Sequence, residues 1–516
     1  MIKEWTVLLR QFDPRGRSEQ FRRGLSNALW SSTDYGLLLF LWFLGTPVFV
    51  IKLGIEEYGI WMLVNALMGF SWLMTFGFGD SVIRSVSKYR GREDVASVIR
   101  VVTTVTGVSI VVGSFLAILL YVLAPFLASG IFKVRPDNIE LTVNALRIGS
   151  VGVLVRFVDT VFQSLIQGYE RYDLAAKISI PTNLLTLGGC VIIVLAGGGV
   201  LAVLTATVAL TGAGAMAKAI VAKRQLLGTL SFVPSIERST LRELFSFGFM
   251  TWVQGSTWLI LTQLDRLLVA SFVGASALAY YTVCLQIAQQ IHTLMVKGSG
   301  FIFPSVSAAG ERGAIHTLQK QYDGGMFLLT TLAAGLGLPV FLFAGPILSL
   351  WMGEGFASQT NGLLEILSFS SVLLVSGIVP FYFLNGSGFV RVNTVLTVAS
   401  GVLVVAGTVM FIRDFGLIGA AWARLINIPA TCVAIAIVHF RLFGGGQLAA
   451  LARALGPIII VFGLAWSIKP LLAFTSMSLW TLIPSIVVTG LVGIGLTSAL
   501  WATIKWVMQK PLTQSL

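Results

Sequence analysis

Charge is what this sequence has least of. Only 11% of its 516 residues are Asp, Glu, Lys or Arg, against 56% hydrophobic, whereas a water-soluble chain carries roughly 25% charged residues. So few charges could not cover a surface of this size in water, and a mean hydropathy of +0.88 makes lipid the solvent. Cysteine is nearly absent as well. Cys190, Cys284 and Cys432 lie far apart inside apolar runs, which excludes a disulfide framework and a thiolate zinc site. His292, His316 and His439 are equally isolated. No G-x-x-x-x-G-K-[ST] occurs, which excludes ATP binding of the P-loop kind. Neither H-E-x-x-H nor a recognisable nucleophile signature is present. The expectation is a chain that is not an enzyme, with no catalytic residue, no cofactor and no metal. The charged N-terminus leads into an apolar run without a small-residue cleavage site, which reads as a retained helix and not a signal peptide.

What is present in abundance is the long apolar run. Crossing the hydrocarbon takes about 20 apolar residues per helix, and such runs lie near 27–51, 58–79, 101–125, 143–168, 178–197, 200–217, 247–272, 278–303, 324–345, 363–384, 393–412, 417–440, 455–475 and 479–504. None alternates every second residue, so a β-barrel is excluded. The expected fold is an all-α polytopic membrane protein of about 14 transmembrane helices.

The net charge of +13 is spread over short clusters between the runs, which is not a nucleic-acid footprint. With the N-terminus placed inside, 25 of the 35 Lys and Arg fall in cytoplasmic segments and five in outer loops (Lys52, Lys133, Arg135, Arg413, Lys469), with five inside spans. A five-to-one bias puts both termini in the cytoplasm. Five segments result: a basic N-terminus 1–24, either an interfacial helix or a disordered start; a six-helix bundle 25–222; a cytoplasmic linker 223–246; a second bundle 247–443; and helices 13 and 14 with a tail, 444–516.

A shift of 220 residues brings the halves into partial register. Leu53-Gly54 falls on Val273-Gly274, Tyr58 to Trp61 on Leu278 to Tyr281, Ser85-Val86-Ser87 on Ser305-Val306-Ser307, and Arg92 on Arg312. Six helices separate the copies, so the repeat is parallel, about an axis along the membrane normal. Two pseudo-symmetric bundles plus two C-terminal helices is the architecture this predicts, with a cavity near the midplane.

The first repeat reads LGIEEYGIW, then FGFGDSVIR and a basic loop; the second reads LDRLLVASFVGASALAYYTVCLQI, then FPSVS. Over roughly residues 20–505 this resembles the polysaccharide branch of the multidrug/oligosaccharidyl-lipid/polysaccharide (MOP) exporter superfamily, especially the O-antigen-type flippases, whose fold is MATE-like. The Asp-x-Gly-like turn that often ends the family's second helix is here Gly79-Asp80-Ser81, a departure from the pattern. The resemblance implies a flippase of the bacterial inner membrane that moves an undecaprenyl-diphosphate-linked oligosaccharide from the cytoplasmic to the outer leaflet. It implies a polyprenyl-linked saccharide and membrane lipid as partners, with a polysaccharide polymerase and chain-length proteins alongside, and no nucleic acid.

Ionisable residues inside the spans are the candidate site. Arg147, Arg156, Arg266, Lys297 and Arg424 each cost about 2.5–3.5 kcal/mol at the bilayer centre, so they should face a polar cavity. Guanidinium groups match phosphate oxygens. Gln163 continues the polar face of Arg156, Asp159, Thr160 and Gln167, while Gln286, Gln289, Gln290 and Lys297 recur along the eighth helix; Asn427 shares a face with Arg424. These amides suit sugar hydroxyls, or could serve only as helix–helix contacts. Asp34, Asp159 and Asp265 are candidates to carry a coupling ion. Arg156 with Asp159, and Asp265 with Arg266, could equally be fixed ion pairs. Arg147, nine residues from Arg156 and so on the opposite side of the helix, near the outer end, could instead snorkel. A peptidoglycan-precursor flippase and a cation-coupled multidrug exporter remain alternatives, and a membrane glycosyltransferase using Glu56-Glu57 is disfavoured by short outer loops.

Overall fold

A computed structural model describes residues 18–70, 78–228, 233–241, 252–253, 256, 263–299, 302, 306, 315–360, 362–471 and 477–509. The N-terminal stretch before Ser18, expected as an interfacial helix or a disordered start, lies outside them. The main helices are α1 (Ser18–Phe70), α2 (Phe78–Arg90), α3 (Val95–Phe126), α4 (Ile139–Gly168), α5 (Tyr172–Leu195), α6 (Val200–Val221), α7 (Ala275–Ser299), α8 (Ile315–Leu342), α9 (Ala344–Met352), α10 (Glu354–Gln359), α11 (Leu363–Val375), α12 (Ile378–Gly386), α13 (Val390–Ala423), α14 (Ile428–Leu442), α15 (Gln447–Ile468) and α16 (Leu479–Gln509). In hydrocarbon every backbone amide must be satisfied within the segment, which only a helix does for a single span. Hydroxyls inside the spans are satisfied the same way, bonding back one turn: Thr106 donates to Val102 O, Thr207 to Val203 O and Thr408 to Val404 O.

Among the described residues, ten helices are long and apolar enough to cross a membrane. The sequence shows about 14 runs, and the difference has physical causes. Leu39–Gly69 and Val390–Leu442 each join two runs, the helix in each case passing through one left-handed glycine, Gly54 (φ 80°) or Gly416 (φ 58°). Helix α7 is a further element of 25 residues whose three glutamines lower its hydropathy, and the run 247–272 is described only in part. The six-residue outer loop expected between the first two runs is therefore replaced by one glycine, whose missing Cβ permits the turn. Glu56 and Glu57 lie on the helix beyond it, not in a loop. Glu56 pairs with Arg135 and accepts a hydrogen bond from Ser276.

The repeat is visible in the structure. Helices α3 and α8 start 220 residues apart, and α5 and α13 agree with that offset to within two residues. Gly54 and Gly274 both adopt positive φ, 80° and 112°. Ser276 Oγ donates to Glu56 Oε2 at 3.1 Å, across 220 positions.

The chain divides into two compact units. One comprises Met1–Leu53, Ser71–Ala124 and Glu140–Trp252; the other comprises Gly54–Phe70, Pro125–Ile139 and Val253–Leu516. In the first, α2, α3 and α4 close on a core that includes Val82, Val86, Val102, Leu165 and Ile166. Asp94 caps α3: its Oδ1 accepts the Ser97 N–H at 3.0 Å and its Oδ2 the Ser97 hydroxyl. These donors hold the Asp94 carboxyl below the usual carboxylate range. The linker is not a free loop where it is described. Ser235 N–H donates to Thr103 O at 3.3 Å, and a Cβ at Gly107 would fall 2.7 Å from Ser235 O, so the linker backbone lies directly on α3. In the second unit the core gathers Tyr322, Phe341, Phe383, Ile435, Val438 and Phe462. Arg453 of α15 is tied to Asp323 of α8 at 3.2 Å.

Candidate functional site

The second unit holds the most buried charges of the sequence-derived set. Asp265 and Arg266 sit on the helical residues 263–272, Tyr281 on α7, and Arg424 on the 3-10 turn Arg424–Asn427 that follows α13. That turn has a sequence cause. Pro429, at the start of α14, has no N–H for the carbonyl of Leu425, so the α ladder breaks; the amide of Ile428 bonds Leu425 O in the tighter pattern instead. The break aims Arg424 at Asp265, which is 5% exposed.

Both Asp265 oxygens are used. Arg424 Nη1 donates to Oδ2 at 2.8 Å, the Tyr281 hydroxyl donates to the same oxygen at 2.9 Å, and the Arg266 backbone N–H donates to Oδ1 at 2.8 Å. The Arg266 side chain turns elsewhere, its Nη1 reaching Gln263 Oε1 at 3.3 Å. The Nε atoms of Arg266 and Arg424 are buried without a hydrogen-bond partner among the described residues. Two arginines thus accompany one carboxylate, Arg424 paired with it and Arg266 turned toward Gln263, and the cluster keeps one positive charge in a low-dielectric interior.

Arg424 has no acid within a helical turn in sequence, yet it has one 159 positions away, and one expectation is corrected. Asp265 and Arg266 do not form a side-chain ion pair; Asp265 takes only the backbone N–H of its neighbour.

The first unit repeats the pattern. Lys218 Nζ donates to both oxygens of Asp159, at 2.8 and 3.0 Å. The acid expected to pair with Arg156 therefore pairs with Lys218, and Arg156, one turn earlier on α4, is exposed. Sequence reading missed Lys218, because a lysine at the end of the run 200–217 reads as the start of the cytoplasmic linker. The signal that could have found it is the apolar Ala219-Ile220-Val221-Ala222 beyond it, which continues the helix past the charge; Lys218 is 8% exposed. Arg147 stacks its guanidinium 4.9 Å from the Tyr121 ring centroid, a cation–π contact on the face away from Arg156.

Gln163 of α4 and Gln286, Gln289 and Gln290 of α7 are half-buried, and Gln163 Oε1 is buried without a partner among the described residues. Lys297 is exposed in the last turn of α7. Asn427 is half-buried at the end of the 3-10 turn, its carbonyl 3.4 Å from the Thr431 hydroxyl. The side chain of Asp34 lies outside the described residues. No group of three or more His, Cys, Asp or Glu able to hold a metal ion occurs among the described residues.

A family model described as "Polysaccharide biosynthesis protein" matches residues 25–309, more than half of the chain. A Shigella flexneri protein named "Putative O-antigen transporter" is 18% identical over 431 residues, covering 81% of this chain and 98% of its own. The teichuronic acid biosynthesis protein TuaB of Bacillus subtilis is 25% identical over 215 residues, 42% of this chain and 41% of its own. In fold, the lipid II flippase MurJ in an inward closed conformation superimposes with a TM-score of 0.70 at 12% identity, over 93% of this chain and 99% of that one. An inward-facing multidrug resistance MATE family transporter of the MOP superfamily gives 0.67 at 17% identity, over 79% and 95%. This multi-pass membrane chain, with its six-helix repeat and its buried cations, belongs to the polysaccharide biosynthesis protein family, on the fold of the MOP exporter superfamily.

Proposed function

We propose that the protein flips a polyprenyl-diphosphate-linked oligosaccharide, an O-antigen, capsule or exopolysaccharide repeat unit, from the cytoplasmic to the outer leaflet of a bacterial inner membrane. Both termini are cytoplasmic, and transport proceeds by alternating access without a chemical step. The observation that carries this reading is the cation surplus: Arg266 and Arg424 against Asp265, with Arg156 and Lys218 against Asp159. A diphosphate needs fixed cations and donors; Arg266, Arg424 and Lys297 in the second unit, and Arg156 in the first, are the candidates for that role, with the half-buried glutamines and Asn427 as candidates for sugar hydroxyls. An exporter of cationic drugs would need the opposite sign. The translocated unit would then pass to a polymerase acting on the outer face.

Energy is available without ATP. With the cell interior negative, outward movement of an anion is favoured by about 2.3 kcal/mol per charge per 100 mV. Asp34 is the acid left to exchange a counter-moving cation, since Asp159 and Asp265 are paired with Lys218 and Arg424.

The test is reconstitution. Proteoliposomes with an imposed potential, negative on the cytoplasmic face, should move an undecaprenyl-diphosphate-linked oligosaccharide, and Arg266→Ala with Arg424→Ala should abolish movement while the protein stays inserted. A peptidoglycan precursor moved in preference to repeat-unit lipids would replace the substrate class. Transport unchanged in the double variant would remove the anion-binding reading.

A further inference from the structure

Asp265 is more than the counter-charge that keeps Arg424 folded. We propose that its carboxylate is a resident stand-in for the substrate's phosphate, one that occupies Arg424 when no ligand is bound and yields it to the incoming diphosphate. The idea rests on the proposed anionic substrate and adds a positioning role that the cation surplus alone does not give.

The geometry of the cluster supports it. Arg424 gives Asp265 one nitrogen only: Nη1 to Oδ2 at 2.8 Å. Its Nε stays buried and unpartnered among the described residues, as does that of Arg266. A guanidinium committed to a permanent structural pair would present its fork to the carboxylate in two parallel bonds; here part of the fork is held in reserve. Asp265, for its part, does not depend on Arg424. With Arg424 removed it would keep the Tyr281 hydroxyl on Oδ2 at 2.9 Å and the Arg266 N–H on Oδ1 at 2.8 Å. These two neutral donors stabilise the carboxylate in the displaced state, so the exchange does not leave a bare buried charge, which is the usual cost of breaking such a pair. The Arg266 guanidinium, only loosely engaged at 3.3 Å to Gln263, lies on the residue next to Asp265 and can complete the phosphate's shell.

Two opposite effects follow. While Asp265 holds Arg424, the apparent affinity for a diphosphate falls by the fraction of time the arginine is free. Asp265→Asn keeps the shape and removes the competing charge, so it should tighten binding. Tyr281→Phe removes the hydroxyl that supports the displaced carboxylate and that also contacts the Arg424 side chain, so it should weaken binding. A purely structural triad predicts loss in both variants.

The experiment measures binding of farnesyl diphosphate, with farnesol as the uncharged control, to the full chain purified in detergent, by isothermal titration. Wild type should bind the diphosphate and not the alcohol. Asp265→Asn should bind about tenfold or more tightly, Tyr281→Phe several-fold more weakly, and Arg424→Ala should lose binding. Release-limited transport should slow in Asp265→Asn despite the tighter binding. Wild-type binding with Asp265→Asn equal or weaker overturns the stand-in role and leaves the anionic substrate standing. No diphosphate binding by wild type and no effect of Arg424→Ala overturns the anionic substrate itself, and the stand-in with it. If Asp265→Asn does not fold, Tyr281→Phe decides: affinity unchanged or raised refutes the proposal.

Discussion

Replacing Lys218 by Met tests which cation holds Asp159. The two oxygens of Asp159 accept from Lys218 Nζ at 2.8 and 3.0 Å, with side-chain exposures of 10% for the lysine and 24% for the aspartate. At an effective dielectric of 20, charges about 4 Å apart attract by about 4 kcal/mol. Desolvation and the partial exposure of Asp159 take back roughly half, leaving a coupling of about 2 kcal/mol. Lys218→Met alone strands a half-buried carboxylate, and Asp159→Asn alone strands a buried ammonium, so each should destabilise by about 3 kcal/mol. The double variant should cost clearly less than the two together. Unfolding in mixed micelles at increasing denaturing detergent, read by circular dichroism, gives the four corners of the cycle. A second cycle, Arg156→Met with Asp159→Asn, is the control; Arg156 is exposed and its coupling should stay below about 1 kcal/mol. Coupling below about 0.5 kcal/mol for Lys218, or a larger one for Arg156, refutes the assignment.

Three further outcomes can be checked independently. Because donors from Ser97 depress the Asp94 carboxyl, its cap stabilises α3 above the ordinary carboxylate pKa and loses that contribution as pH falls through the depressed value. Wild type and Asp94→Ala should differ in melting temperature at neutral pH and converge at acid pH; parallel curves would refute the cap. Gly59→Leu should abolish a stable fold, since a Cβ there would sit 2.0 Å from the Ala275 carbonyl oxygen, and a well-folded variant in detergent gel filtration would contradict that packing. Single cysteines at Gly91 and Gly228 should react only with reagents that reach the cytoplasm, and one at Gly353 only from outside, as the five-to-one basic asymmetry demands; the reverse pattern inverts the topology.

Much of this protein was legible before any coordinates. Apolar runs specify helices in lipid because the backbone has no other way to satisfy itself there, and the repeat offset of 220 recurs in Gly54 and Gly274 and in the contact of Glu56 with Ser276. The residue types of the site were also legible, because a charge inside an apolar run is costly and so conspicuous. Helix boundaries at single glycines were not, since an uninterrupted 3.6-residue pattern and one turned at Gly54 look alike on either side.

Pairing is what the tertiary structure decided. Sequence neighbours suggested Asp265 with Arg266 and Asp159 with Arg156; the fold gave Arg424 and Lys218 to those acids, 159 and 59 positions away. The reason is geometric. Side chains next to or one turn from each other on a helix can touch, but which cation reaches a buried carboxylate depends on which helix packs against it, and that follows from all the packing surfaces at once. Composition and pattern determined that this chain lives in a membrane and carries more cations than acids inside its apolar runs. Only the packing of α4 on α6, and of the Pro429-broken turn over Asp265, decided which of those cations are already spoken for.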